Sequence, residues 1–93
     1  MKYFIPENKD KFLYRDEEDG ILLYFKEDGN LILLNPTGAI IFRALIKKEY
    51  TLEELSDFLI ENIKQKPDKE TVLKDVREFI ENLKKLGILM EKE

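Results

Sequence analysis

The run Leu33-Leu34-Asn35-Pro36-Thr37-Gly38-Ala39-Ile40-Ile41-Phe42 carries an apolar strand straight into a capped helix with almost no loop between them. A junction this short ties one strand and one helix into the same core. The side-chain oxygen of Asn35 can accept the first free backbone N–H groups of the helix, and Pro36 suits the first helical position, where its missing N–H costs nothing.

Upstream of the junction the hydrophobic pattern is that of strands. Phe12-Leu13-Tyr14-Arg15, Ile21 to Phe25 and Leu31 to Leu34 are separated by Asp16-Glu17-Glu18-Asp19-Gly20 and by Glu27-Asp28-Gly29-Asn30, which predicts a three-stranded antiparallel meander. Asp28-Gly29 reads as a two-residue type I′ turn. That turn sets Phe25 opposite Ile32, Tyr24 opposite Leu33 and Leu23 opposite Leu34. Directly opposed residues share a face. Ile21, Leu23, Phe25, Ile32 and Leu34 therefore form one face, assigned to the core, and Leu22, Tyr24, Lys26, Leu31 and Leu33 form the other. A sheet covered by helices on one side normally shows polar residues on its other side, so the second face calls for a cover. The candidates are the Tyr3-Phe4-Ile5 segment, a second copy of the chain, or a partner peptide.

Downstream the period becomes helical. The first helix runs from Pro36 to Lys47, apolar around most of its circumference, as befits a buried central helix. Thr51-Leu52-Glu53-Glu54 is a capping box opening the second helix, with Leu52, Leu55, Phe58, Leu59 and Ile63 on one stripe. Pro67-Asp68 opens the third and longest, where Val72, Val76, Phe79, Leu83 and Leu86 recur at spacings of four and three, widened by Leu73 and Ile80. Gly87 ends it in a left-handed conformation, and Ile88-Leu89-Met90 folds back as a short strand or extended tail. The class is α+β: a three-stranded antiparallel sheet followed by three α-helices, winged helix-turn-helix-like, in a single domain over residues 1–93 with its core in 12–90.

Composition narrows the chemistry. The chain has neither cysteine nor histidine, which removes disulfides, thiolate metal sites and the commonest general base and metal ligand. The acidic run Asp16-Glu17-Glu18-Asp19 lacks the alternating ligands and distal glutamate of a calcium loop and reads as a solvated turn. Glycines 20, 29, 38 and 87 are too scattered to cradle a phosphate, and the hydroxyls of Thr37, Thr51, Ser56 and Thr71 have no histidine to activate them. We therefore expect no catalytic residues, no metal and no cofactor. With 16 basic and 20 acidic residues the formal charge is -4, which offers no general attraction for phosphate backbones. The basic pairs Lys47-Lys48, Lys64 with Lys66, and Lys84-Lys85 sit beside acids and read as ordinary surface pairing. Met1 to Pro6 is too short an apolar run for a signal peptide and no later run approaches a membrane span, so the expected location is cytoplasmic, with neither nucleic acid nor membrane as partner.

The ordered set of these features resembles a known family. Three strands, then Leu34-Asn35-Pro36-Thr37-Gly38, then Tyr50-Thr51-Leu52-Glu53-Glu54-Leu55, then Asp75-Val76 through Phe79-Ile80 and Leu83 to Leu86-Gly87-Ile88-Leu89, is similar to PqqD. More broadly, it resembles the peptide-recognition elements of ribosomally synthesised, post-translationally modified peptides. The resemblance covers Phe12 to Met90. It implies a non-catalytic adaptor that binds the leader segment of a precursor peptide and presents it to a modifying enzyme, often a radical-SAM protein. It also implies that the leader adds as a strand beside the third strand of the sheet, here Asn30, Leu31, Ile32, Leu33 and Leu34. Leader side chains would then enter a groove against the third helix, whose face includes Val72, Asp75, Val76, Phe79, Ile80 and Leu83. An exposed edge gives affinity through backbone groups while an apolar groove chooses side chains. A net charge of -4 tolerates a basic leader. Two rival readings stand beside this one: a winged-helix DNA-binding regulator, and a homodimeric module pairing through the second sheet face or the free edge. A monomer or weak homodimer accords with the adaptor reading as well.

Overall fold

The computed structural model describes residues 1–63 and 67–93; the Lys64 and Lys66 pair lies outside them. The elements follow the order β1 (Lys2–Phe4), β2 (Phe12–Glu17), β3 (Gly20–Phe25), β4 (Leu31–Leu34), α1 (Pro36–Lys47), α2 (Leu52–Asn62), α3 (Lys69–Leu86) and β5 (Met90–Lys92). β2, β3 and β4 form the expected antiparallel meander in that spatial order, and β1 pairs with β5 in a second, two-stranded sheet. The fold is α+β.

The junction forms as its residues dictate. Asn35 Oδ1 accepts from Gly38 N at 2.7 Å and Pro36 begins α1. Phe42, Ile41 and Leu45 on α1 are almost wholly buried. The Phe42 ring meets Phe12 edge-on at 6.3 Å and Tyr14 at 5.2 Å, so α1 packs directly on the inner face of the sheet. On α2 the capping box closes in both directions: Thr51 Oγ1 accepts from Glu54 N, and Glu54 Oε1 accepts from Thr51 N. That backbone hydrogen bond to its ionised form holds the Glu54 carboxyl below the usual glutamate range. Asp68 caps α3 and is lowered likewise, chiefly by the Thr71 hydroxyl. Lys69 bridges the two helices through Glu53 and Asp57. At the other end of α3, Gly87 N donates to Lys84 O and Ile88 N to Leu83 O, the paired closure of a Schellman motif.

Three expectations are corrected. The hairpin between β3 and β4 has a four-residue loop, Lys26 to Gly29, closed by Phe25 N donating to Asn30 O at 2.9 Å and Gly29 N donating to Phe25 O at 2.8 Å. The pairs are therefore Ile21 with Leu34, Leu22 with Leu33, Leu23 with Ile32 and Tyr24 with Leu31. A type I′ turn needs positive φ at both central residues. Only glycines have it here, and Asp28 instead turns its carboxylate onto Asn30 N and Nδ2. The slip is by two residues, so the face assignment survives. Ile21, Leu23, Phe25 and Leu34 are buried, whereas Tyr24, Leu31 and Leu33 are exposed.

The acidic run, second, is half strand. Asp16 and Glu17 continue β2, and only Glu18-Asp19 turns the chain. Strand alternation sends the two side chains to opposite faces, where Asp16 meets Arg43 and Glu17 meets Arg15.

Third, the Tyr3-Phe4-Ile5 segment does not cover the outer sheet face. Tyr3 and Ile5 enter the main core instead, with Tyr3 exchanging both backbone hydrogen bonds with Tyr50, and Ile5 N donating to Leu45 O. The β1–β5 sheet lies on this side of the molecule, and the outer face of β2–β3–β4 is left without it.

Candidate functional site

The sheet has two edges, and they differ. β2 carries Arg15, Asp16 and Glu17, charges of the kind that discourage strand pairing, and Asp16 is tied to Arg43 of α1. β4 reads Leu-Ile-Leu-Leu, with no charge, proline or bulge to blunt it.

The register decides which of its backbone groups are free. Phe25 and Asn30 are directly opposed and hydrogen-bonded, so alternation makes Leu23/Ile32 and Ile21/Leu34 hydrogen-bonded pairs, and Tyr24/Leu31 and Leu22/Leu33 non-bonded ones. The other side of β3 agrees: Lys26 N donates to Lys11 O, so the even residues of that strand serve β2. Space agrees as well, since a Cβ on Gly20 would lie 1.8 Å from Leu34 O, which points toward β3. The N–H and C=O groups of Leu31 and Leu33 consequently face outward from the open edge.

Alternation also separates side chains. Leu31 and Leu33 stand on the outer face, 63% and 64% exposed, in line with Leu22, Tyr24 and Leu13. Ile32 and Leu34 turn to the inner side, where with Phe79, Asn82, Leu83, Lys85 and Leu86 of α3 they line a groove of ≈ 350 Å³. A strand added to β4 would present alternate side chains to this groove and the rest to the outer face.

Gly38 sets one wall of the groove. A Cβ there would lie 2.8 Å from Phe79 Cε1 and 3.2 Å from its Cζ, so the absence of a side chain in the first turn of α1 lets the Phe79 ring close against the helix. At the opposite end, Lys11 Nζ donates to Gly87 O at 2.6 Å beside the C-terminus of α3, and the Lys11 carbonyl accepts from Lys26 at the β3–β4 hairpin. The C-terminus of α3 thus lies near the start of β4, and Phe79 near its end. Helix and strand run antiparallel.

The residues singled out from sequence fall into three groups, with Asp75 and Asn30 outside them. Leu31 and Leu33 supply the open edge; Ile32, Leu34, Phe79 and Leu83 line the groove. Val72, Val76, Ile80 and Leu83 are at most 3% exposed and belong to the core, Leu83 serving the groove as well. Asp75 is exposed one turn before Phe79, and Asn30 lies at the hairpin, its carbonyl already accepting from Phe25. Sequence reasoning missed Asn82 and Lys85 as lining residues because hydrophobic periodicity marks only the apolar floor of a groove. Leu86 stood in the periodic stripe but was not separated from its core-facing members.

Of the basic pairs among the described residues, Lys84 contacts Glu81 and Glu91, and Lys48 lies over the Tyr50 ring at 5.0 Å. The hydrogen bond that Lys84 Nζ donates to the Glu91 carboxylate is the main cause holding the ammonium above the usual lysine range. Among the described residues, no helix is long and apolar enough to cross a membrane.

The fold and site define a small α+β domain with an uncharged sheet edge beside an apolar groove. The chain belongs to the PqqD family: the model for coenzyme PQQ synthesis protein D (PqqD) matches residues 20–89, which include β3, β4 and all three helices. Two solved structures share the fold. TbiB1 in complex with the TbiA(beta) leader peptide superposes with a TM-score of 0.74 at 23% identity, covering 90% of this chain and 94% of that one. Lasso peptide synthetase B1 complexed with the leader peptide gives a TM-score of 0.74 at 17% identity, covering 96% and 98%. No curated protein sequence matches the chain significantly.

Proposed function

We propose that this protein is a non-catalytic adaptor that captures the leader segment of a ribosomally synthesised precursor peptide as a fourth strand on β4 and presents it to a modifying enzyme. The observation that carries this reading is the uncharged edge of β4, where Leu31 and Leu33 turn their backbone groups outward next to an apolar groove. Membership of the PqqD family supports it, as do two structural neighbours described as complexes with leader peptides.

Magnitudes divide the work between edge and groove. Leu31 and Leu33 offer two donors and two acceptors, and four hydrogen bonds at about 0.5–1.5 kcal/mol each contribute about 2–6 kcal/mol. Micromolar affinity requires about 8 kcal/mol after the costs of association are met. The edge alone is insufficient. Apolar leader side chains entering between Ile32, Leu34, Phe79, Leu83 and Leu86 supply the remainder, at about 1.5–3 kcal/mol for each one fully buried. Val72, Val76 and Ile80 act from behind as the support of that wall.

In this reading the enzyme served is a radical-SAM protein or another maturase of modified peptides, and the chemistry belongs to it. The adaptor works in the cytoplasm, where the precursor is made, as a monomer whose free edge permits weak self-pairing in the absence of a leader. The test is a backbone-amide NMR titration of labelled protein with the N-terminal half of the short precursor encoded beside its gene. Saturable shifts along Asn30 to Leu34 and Phe79 to Leu86 are expected. Shifts confined to other surfaces, or none with a folded spectrum, would overturn the reading.

A further inference from the structure

Lys85 lines one end of the groove, and acids stand on the α3 face beyond the other end. Lys85 sits near the C-terminus of α3 and, unlike Lys84, has no ion-pair partner among the described residues. Going toward the start of the helix, Asp75 precedes Phe79 by four residues and Glu78 precedes Asn82 by four. Residues four apart are neighbours on one helix face, so both acids continue the groove wall past Phe79. They are exposed and likewise have no ion-pair partner among the described residues.

The dimensions of a peptide strand match this layout. From Phe79 to Leu86 the helix rises about 10 Å, and Asp75 lies about 6 Å further on. Side chains on one face of a strand recur about every 6.7 Å. From Lys85 to Asp75 the helix rises about 15 Å, so three inward residues span this wall, a middle one over the apolar floor and one on either side beside the charges. We propose, building on the peptide-capture reading above, that the groove selects a bipolar segment. One inward apolar residue is flanked, two positions away on either side, by a carboxylate at the Lys85 end and by a lysine or arginine at the Asp75–Glu78 end. The charge order then also decides which way round the peptide lies on β4. The net charge of -4 conceals this preference, because the site is split in sign while the molecule as a whole is acidic.

The experiment is selection of a randomised ten-residue peptide display library on the full chain, on Lys85→Glu and on the double variant Asp75→Lys/Glu78→Lys. All three positions are exposed, so the variants keep the fold. Enriched peptides are then synthesised with and without their acid changed to its amide, and titrated at two salt concentrations. The expected logo has an apolar residue with an acid two positions to one side and a base two positions to the other. Lys85→Glu replaces the acid by a base without touching the other flank, and the double variant does the converse. Removing the peptide's acid weakens binding about two- to fivefold, the scale of an exposed ion pair, and less at high salt. Alternating apolar peptides with no charge bias, unchanged by the variants, would overturn charge selection and leave strand capture standing. No enrichment at all, or peptides that bind away from β4, would overturn both.

Discussion

Two neighbouring proline substitutions separate the roles of the β4 backbone. Proline removes an N–H and fixes φ, so its cost depends on where that N–H points. At Leu33 it points to the open edge, and Leu33→Pro deletes no hydrogen bond within the protein. Proline is tolerated at such edge positions, and the cost in stability is expected to stay within about 1 kcal/mol, mostly lost packing of a side chain already 64% exposed. At Ile32 the N–H serves the ladder to β3, so Ile32→Pro breaks an internal bond and sets the ring against Leu23, at about 3 kcal/mol or more. Binding reverses the order of interest. Leu33→Pro removes one intermolecular hydrogen bond, worth about 0.5–1.5 kcal/mol or roughly two- to tenfold in Kd, and its ring obstructs the incoming strand, so a loss beyond tenfold is expected. Urea denaturation followed by fluorescence anisotropy with a labelled leader reads both quantities. A folded Leu33→Pro protein that binds as well as the parent would refute edge pairing, and a Leu33→Pro protein less stable than Ile32→Pro would refute the register.

Gly38→Ala places a methyl group 2.8 Å from Phe79 Cε1; the half-buried ring swings into the groove. Helix propensity gained, up to about 1 kcal/mol, then offsets an overpacking cost of about 1–3 kcal/mol. Thermal denaturation should show a small change and titration a clear loss of affinity. Val76→Ala, at a position 0% exposed, is expected to lose about 0.5–2 kcal/mol of stability by cavity formation, whereas Asp75→Ala leaves stability within about 0.5 kcal/mol; equal effects in denaturant melts would contradict the assignment of the two helix faces. Acid stability follows from Glu54 and Asp68. Both carboxyls titrate lower in the folded protein than their ordinary values of 4.5 and 3.8, so the unfolded chain binds protons first on acidification. Their contribution is complete above those values and disappears as pH falls through the lower folded ones. Glu54→Gln should flatten the decline of melting temperature between pH 5 and pH 3, and an unchanged slope would count against the capping-box hydrogen bond as its cause.

The fold was legible wherever local chemistry and hydrophobic period agreed. Asn35-Pro36, Thr51 with Glu54, Asp68 and Gly87 each mark a helix end by a hydrogen bond that the residue types themselves provide, and α1 has the span expected from sequence. The two faces of the sheet were legible because period 2 survives a two-residue slip. The register was not, since Asp28 has two ways to turn the chain, and only the folded geometry shows it bonding to Asn30. Nor was the place of β1, because Tyr3 and Ile5 are fixed by Tyr50 and Leu45, forty or more residues away. At the site, the apolar edge and the floor of the groove were readable. Its wall was not: the same stripe of α3 serves core and groove, and the closeness of Gly38 to Phe79 is a tertiary fact with no local signature.

Amide hydrogen exchange at four consecutive residues measures the strand-addition claim most directly. In the free protein Ile32 and Leu34, bonded to β3, should exchange slowly, and Leu31 and Leu33, facing the open edge, should exchange fast. Saturation with leader peptide should protect Leu31 and Leu33 by an order of magnitude or more while leaving the other two protected. Binding that leaves Leu31 and Leu33 exchanging as fast as before would contradict strand addition on β4.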